Sequence, residues 1–258
     1  MGAPGRHTPG PPRSASHPPI DTLLPLLVGI DGVRSGVSRR PVDAADRVAG
    51  LRWVSRAAGV PPRRVALLEQ VHGSRVVTVP WEGFPRPVEG DALVTGETGL
   101  ALSVRIADCA PVALAAPDGS AVGMVHAGWR GLKEGVVPAG VGSVAEVSGC
   151  APGELLASIG PALGGCCYEV GEEFEGYSDA RYLRRVEGGL LFDLPAAVRD
   201  ALEAAGVGSE NIQTHASACT ACGTGAPEGV EFHSHRASAG GPGRNTAFIL
   251  KAGPGGNV

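Results

Sequence analysis

Three side chains in the middle third of the sequence have the chemistry to bind a soft or borderline metal. They are His72 in EQVHG, Cys109 in RIADCAP and His126 in MVHAG, and each follows an apolar run of strand character. Two imidazoles and one thiolate make a three-ligand zinc set that leaves the fourth tetrahedral position open, the arrangement of catalytic rather than structural zinc. The three lie 37 and 17 residues apart, too far for a zinc-finger loop, so spacing alone leaves hydrogen-bonded structural histidines as a second reading. Asp91 in GDALVT and Asp108, immediately before Cys109, are the carboxylates that could orient a ligand histidine, bind substrate or act as general base. Arg130 falls in the first turn of the helix expected after His126, where backbone N–H groups already favour an anion such as phosphate or a carboxylate. A surface ion pair is its plain alternative. Trp129 can stack on a base or pack in the core. Further on, Cys219 and Cys222 followed by His233 and His235 offer a C-x-x-C and H-x-H pattern that fits a structural zinc or a redox pair.

The elements that must carry these residues are legible in the hydrophobic pattern. Residues 44–58 read as a helix with Val48 and Leu51 on its inner face, closed by Gly59. RRVALLEQVHGSRVVTV reads as two strands around a tight turn at His72–Gly73. Runs at 100–106, 111–116 and 121–126 read as strands covered on both faces, the last two joined by the hairpin turn PDGS. Leu132, Val136, Val141 and Val144 give helical spacing despite nearby glycines and Pro138. FDLPAAVRDALEAAG is a helix capped by Asp193, with Leu194, Val198 and Leu202 inward and Gly206 at its end. Strands mixed with helices predict a single α+β domain over residues 22–252.

Bulk properties narrow the function. The chain has 258 residues, 43% hydrophobic and 19% charged, with a net charge of −4, which argues against nucleic acid or an anionic membrane as partner. No run approaches the roughly 20 apolar residues of a membrane span. Residues 1–19, rich in Pro, Gly and Ser, lack the apolar segment of a signal peptide and read as a disordered tail. Six cysteines without an export signal read as reduced thiols of a cytoplasmic protein.

Taken in order, EQVHGSRVV, GDALVT, VRIADCAPVALA, VHAGWRGL, IGPALGGCCYEVG, FDLPAAVRDAL and EFHSHRASAGGPGRNTAFIL resemble successive motifs of the laccase-domain, YfiH/LACC-type family. That family was formerly described as multicopper polyphenol oxidase and is regarded as purine nucleoside phosphorylase. The resemblance implies a mixed α/β/β sandwich related to toxin-type cysteine hydrolases and a Zn2+ site on His72, Cys109 and His126. It implies phosphorolysis of adenosine, inosine, guanosine and methylthioadenosine, with adenosine deaminase activity, from purine nucleosides and phosphate. Asp108 joins the metal trio as a catalytic residue. Arg130, Asp91, His235 and Arg236 are the expected substrate contacts, the last two approaching from the C-terminal segment. The family's C-terminal stretch carries no metal, and the GGCC segment reads as a backbone-shaping loop near substrate. Residues 29–50 keep GVS but lack the family's NLG…GD stretch, which is expected to help line the nucleoside pocket. Two competing readings are a copper-dependent polyphenol oxidase, with Met124 as weak axial ligand, and a cysteine hydrolase or inactive interaction homologue in which Cys109 pairs with His126.

Overall fold

Residues 110–115 and 122–127 have almost no polar alternation because both of their faces are covered. In the computed structural model, which describes residues 23–80, 84, 86–214, 216–228 and 231–253, they are the central pair of a six-stranded sheet. The expected tail at 1–19 lies outside the described residues.

One sheet joins, in spatial order, β1 (Leu23–Leu24), β2 (Val33–Ser38), β15 (Asn245–Lys251), β7 (Ala101–Ile106), β3 (Val65–Glu69) and β5 (Val88–Glu89). A second joins β14 (Ile212–Gln213), β10 (Leu156–Ile159), β8 (Ala110–Ala115), β9 (Val122–Ala127), β6 (Ala92–Thr95) and β4 (Val76–Thr78). A small third sheet holds β11 (Glu169–Val170), β13 (Gly189–Phe192) and β12 (Leu183–Val186). Four α-helices, α1 (Arg47–Ala58), α2 (Trp129–Lys133), α3 (Val136–Ser148) and α4 (Leu194–Ala204), and five short 3-10 helices complete the described elements.

The period-2 alternation of strands sorts side chains between layers. Ala113, Ala115, Val122 and Met124 of the second sheet pack against Leu102, Val104, Ala247 and Ile249 of the first. The alternate residues Val112, Leu114 and Val125 pack outward against Val141 and Val144 of α3 and Val198 and Leu202 of α4. On the far side, Trp53, Val54 and Ala57 of α1 cover Ala101, Phe248 and Leu250 of the first sheet. The two large sheets are therefore enclosed between helices on both outer faces. Among the described residues no helix is long and apolar enough to cross a membrane.

Three local expectations are corrected. Val48 is exposed, and α1 turns Trp53, Val54, Ala57 and Ala58 inward instead, because the large indole and the small alanines fit the sheet surface better than Val48. The two strands flanking His72 do not pair: β3 runs in the first sheet and β4 in the second. The helix after His126 is two helices, broken at Gly135, which adopts a left-handed φ of 87°.

The glycines that weaken α3 in the sequence are contact points. A Cβ on Gly140 would stand 2.6 Å from Val125 Cγ2, so only glycine lets α3 lie this close to β9. Gly140→Ala is expected to lower stability by about 1–3 kcal/mol through overpacking. Gly142→Ala, whose added carbon meets nothing within 4 Å, is expected to raise it by about 0.5–1 kcal/mol. Denaturant midpoints of the two variants check both signs.

Candidate functional site

The chain crosses from the first sheet to the second after β3, after β5 and after β7, and the first and last of these crossings carry His72 and Cys109. His126 belongs to β9 and shares the parity of Val122 and Met124, whose side chains lie between the sheets. The three residues thus meet at the open end of the inter-sheet seam. Their ligand atoms lie within 4.8 Å of one another, near the spacing adopted by donors of one ion with bonds of roughly 2.0–2.3 Å. The His72 and His126 rings stand edge to face with centroids 5.0 Å apart.

Backbone shape at these two crossings is unusual. His72 and Asp108 have φ values of 61° and 88°, a region that L side chains seldom occupy. Each turn is held by a carboxylate. Asp91, wholly buried, accepts from the backbone N–H groups of Val71, His72 and Gly73 at 3.2, 3.0 and 2.8 Å. It also accepts from His126 Nδ1 at 2.9 Å, which leaves Nε2 of that ring for a ligand. Asp108 accepts from the Thr220 hydroxyl at 2.6 Å and the Arg236 backbone N–H at 2.7 Å. Close approach is secured by glycine. A Cβ on Gly128 would lie 2.9 Å from Cys109 Sγ, and one on Gly131 would lie 2.7 Å from the Gly73 carbonyl.

These contacts set the charges. Burial opposes ionisation of Cys109, but hydrogen bonding and charge from His126 and then His72 bring its thiol down to about 6. Burial likewise opposes a cationic His126, yet Asp91 and Cys109 together raise it to about 9. Burial would raise the Asp91 carboxyl, and the donors from His126, Gly73 and His72 outweigh that and hold it below the ordinary range. The metal-free resting form is a thiolate beside an imidazolium. A divalent ion would replace the imidazolium proton as the counter-charge.

The trio forms one wall of a cleft of about 500 Å³, within the roughly 300–1,000 Å³ typical of small-molecule sites. Asp108, Arg130, His235 and Arg236, singled out in the sequence, also line it. Asp91, expected at the substrate, is instead behind His126 with all its reach used on protein donors. Trp129 reaches the cleft with one edge while packing on Phe174 and Tyr177, with centroids 5.1 and 5.9 Å away. No described residue between 29 and 50 lines the cleft. Met124, the candidate axial copper ligand, is buried in the apolar layer between the sheets.

Four polar lining residues escaped the sequence reading, Gln70, Arg105, Tyr168 and Arg244, as did the apolar Ala107 and Leu163. Arg105 was the findable one, a lone cation in an apolar strand. Gln70 clasps it, its side chain bonding the Arg105 backbone N–H and C=O at 2.9 and 2.8 Å. Burial, with the positive charges of Arg47 and Arg244, pushes Arg105 below the usual guanidinium range. Among the described residues, Arg105, Arg130, Arg236 and Arg244 have no carboxylate within ion-pair distance. Burial, followed by the charge of Cys109, raises the Tyr168 phenol to about 12, so it stays a hydrogen-bond donor.

The candidate C-x-x-C with H-x-H group is not formed. His233 Nε2 lies 3.0 Å from the Val42 carbonyl and His235 turns to the cleft, while Cys219 and Cys222 meet Cys166 and Cys167.

Such a fold, two stacked sheets with soft ligands at their joint and cations around them, defines a mixed α/β protein with a candidate metal centre. The chain belongs to the family described as multi-copper polyphenol oxidoreductase laccase, whose profile matches residues 36–252. Its relatives include a purine nucleoside phosphorylase of Streptomyces coelicolor, 43% identical over 165 residues, covering 62% of this chain and 67% of that protein. Another is the purine nucleoside phosphorylase YlmD of Geobacillus stearothermophilus, 33% identical over 223 residues, covering 80% of this chain and 79% of the relative. The crystal structure of YlmD superposes with a TM-score of 0.73 at 30% identity, over 87% of this chain and 93% of that one. YfiH of Bacillus licheniformis shares the fold, with a TM-score of 0.76 at 24% identity over 89% of this chain and 96% of its own.

Asp91→Asn puts an amide NH2 where two donors already point, whichever way the amide turns. It is expected to weaken metal binding roughly 10–100-fold, read by competition with a chromophoric chelator. In metal-free protein, Cys109 is the thiolate above about pH 6 and the thiol below it. Its alkylation by iodoacetamide should therefore rise with a midpoint near pH 6, against about 8.5 for an ordinary thiol. His126→Ala should move that midpoint upward.

Proposed function

We propose that the protein is a zinc-dependent purine nucleoside phosphorylase, acting on adenosine, inosine, guanosine and methylthioadenosine and also deaminating adenosine. The observation that carries this reading is the ring of Arg105, Arg130, Arg236 and Arg244, without carboxylate partners, around a two-histidine, one-thiolate set in one cleft. Cations that, among the described residues, have no carboxylate to neutralise them beside a metal set favour an anionic co-substrate. The names of the relatives supply its identity as phosphate.

In this reading His72, Cys109 and His126 hold the ion, and zinc when bound supplies a Lewis acid with one open position. The arginines bind phosphate and orient one of its oxygens at the ribose C1′. That oxygen forms the new bond as C1′–N9 breaks. The electron pair of the broken bond passes to the purine, which takes up a proton. Arg130 is the best placed of the cations, standing in the first turn of α2 beside the trio. Tyr168, kept protonated, and His235 offer hydrogen bonds to nucleoside oxygens or base nitrogens. Asp91 acts through His126, fixing its tautomer, rather than on substrate.

Two other chemistries use the same residues. A polyphenol oxidase with several coppers needs several histidine-bearing centres, and the described residues bring only one such group together. A cysteine hydrolase would use the line Cys109, His126 and Asp91 as nucleophile, base and orienter, which leaves His72 without work.

Zinc-loaded protein incubated with adenosine or inosine should release base only when phosphate is present, with ribose 1-phosphate as the second product. Cys109→Ala is expected to lose metal and turnover together by more than about 100-fold, beyond the ~10–100-fold cost of outer-shell changes. Arg130→Ala should raise the KM for phosphate roughly 10–100-fold, the size of a lost charge-assisted hydrogen bond. Phosphate-independent base release, or Cys109→Ala retaining its metal, would overturn the reading.

A further inference from the structure

The trio is not the only ligand cluster. Cys166 and Cys167, in the loop between β10 and β11, face Cys219 and Cys222, more than fifty residues further on, with all four sulfur atoms within 4.8 Å of one another. The Cys166 and Cys222 sulfurs are 3.5 Å apart. That is far beyond the ~2.05 Å of a disulfide and close to the about 3.8 Å between sulfurs around one tetrahedral zinc with ~2.3 Å bonds. We propose that these four cysteines form a second metal centre, a closed tetrathiolate site for a zinc-class divalent ion, separate from the catalytic cleft.

Three features support a built site. First, the backbone brings the two segments together independently of the sulfurs. Ala162 and Cys219 form a parallel bridge, with Ala162 N–H donating to Ala218 C=O and Thr220 N–H to Ala162 C=O, both at 2.9 Å. Second, Cys219 and Cys222 flank a tight turn closed by Gly223, whose left-handed φ of 75° only glycine adopts freely and whose N–H bonds the Cys219 carbonyl at 2.9 Å. A C-x-x-C turn of this shape presents two sulfurs to one ion. Third, polar groups suit sulfurs that carry charge: Thr224 Oγ1 lies 3.1 Å from Cys222 Sγ, and Arg184 donates to the Gly165 carbonyl beside the cluster at 3.3 Å. Cys166 and Cys222 are exposed, which gives an ion a route in.

Binding would release the thiol protons to solvent and fill all four tetrahedral positions, leaving none for substrate. The role is therefore structural, and its consequence is local. The loop it fastens carries Leu163 and Tyr168 into the cleft wall. The same loop is tied to the metal trio's neighbour, since Leu163 N–H donates to the Asp108 carbonyl at 2.8 Å and Thr220 to its carboxylate. A metal here would hold Tyr168 in place without touching the reacting atoms. This inference does not depend on which substrate the cleft takes.

Reduced, chelator-free protein loaded with Zn2+ alone should hold about two equivalents per chain, measured by native mass spectrometry and elemental analysis. Cys109→Ala should keep about one, and the double variant Cys166→Ser/Cys222→Ser, altered only at exposed sulfurs, should also keep about one. Co2+ loaded into Cys109→Ala should show the intense visible ligand-field and sulfur charge-transfer bands of a tetrahedral thiolate site, and Cys166→Ser/Cys222→Ser should lose them. Proteolysis between residues 160 and 170 should quicken in that double variant. A single equivalent in the unmodified chain that vanishes in Cys109→Ala overturns the proposal. So does a double variant that retains both equivalents, or a non-reducing peptide map of the loaded protein in which the tetrad is paired as disulfides.

Discussion

The carboxylate of Asp91 is buried completely, and each of its oxygens accepts two hydrogen bonds, three in all from successive backbone N–H groups at 71–73 and one from the imidazole of His126. A buried charge is tolerable only when its lone pairs are satisfied. Here the donors that satisfy it are the turn presenting one ligand and the ring of another. The same interaction therefore stabilises a left-handed backbone at His72 and selects the tautomer of His126. The two imidazoles gain their mutual geometry from one acceptor, so neither can move without breaking the other's support.

Around that carboxylate, the fold solves a problem of reach. Strands deliver side chains to a seam between sheets, but three donors must converge within the span of a single ion. The chain achieves this by crossing between sheets at His72 and at Cys109, and by leaving Gly128 and Gly131 without side chains where backbone and sulfur come nearest. Two of the three described non-glycine residues with positive φ, His72 and Asp108, fall at these crossings, the third being Ala239, in keeping with the tendency of strain to collect where geometry is functional. Asp108 does for the outer wall what Asp91 does for the inner one. It joins the β7–β8 crossing to the segments of Leu163, Thr220 and Arg236.

Charge then gives the cleft its direction. A thiolate and an imidazolium face one another at its base, while guanidinium groups without carboxylate partners rim it. A divalent ion at the base and an anion at the rim would each lower the cost of the other. Arg105 is lowered first by its burial and then by the like charges of Arg47 and Arg244. The opposite wall depends on the loop carrying Tyr168 and, with it, on the backbone bonds of Ala162 and Leu163 to Ala218, Thr220 and Asp108 that tie that loop down.

The sequence by itself singled out the three candidate donors His72, Cys109 and His126, the β8–β9 hairpin, the N-cap at Asp193 and a fold that mixes strands with helices. These follow from residue type, strand and helix periodicity and turn chemistry, all of which act over a few residues. It could not determine which strands pair: the two runs on either side of the His72–Gly73 turn belong to different sheets. Nor could it place Arg244, Tyr168 or the meeting of Cys166–Cys167 with Cys219–Cys222, because those contacts join segments tens to more than a hundred residues apart. It left Asp91 open between orienting a ligand histidine and meeting substrate for the same reason: a carboxylate's partners are set by what packs around it. Local chemistry names the donors and the turns, whereas long-range packing of two sheets decides what each donor touches.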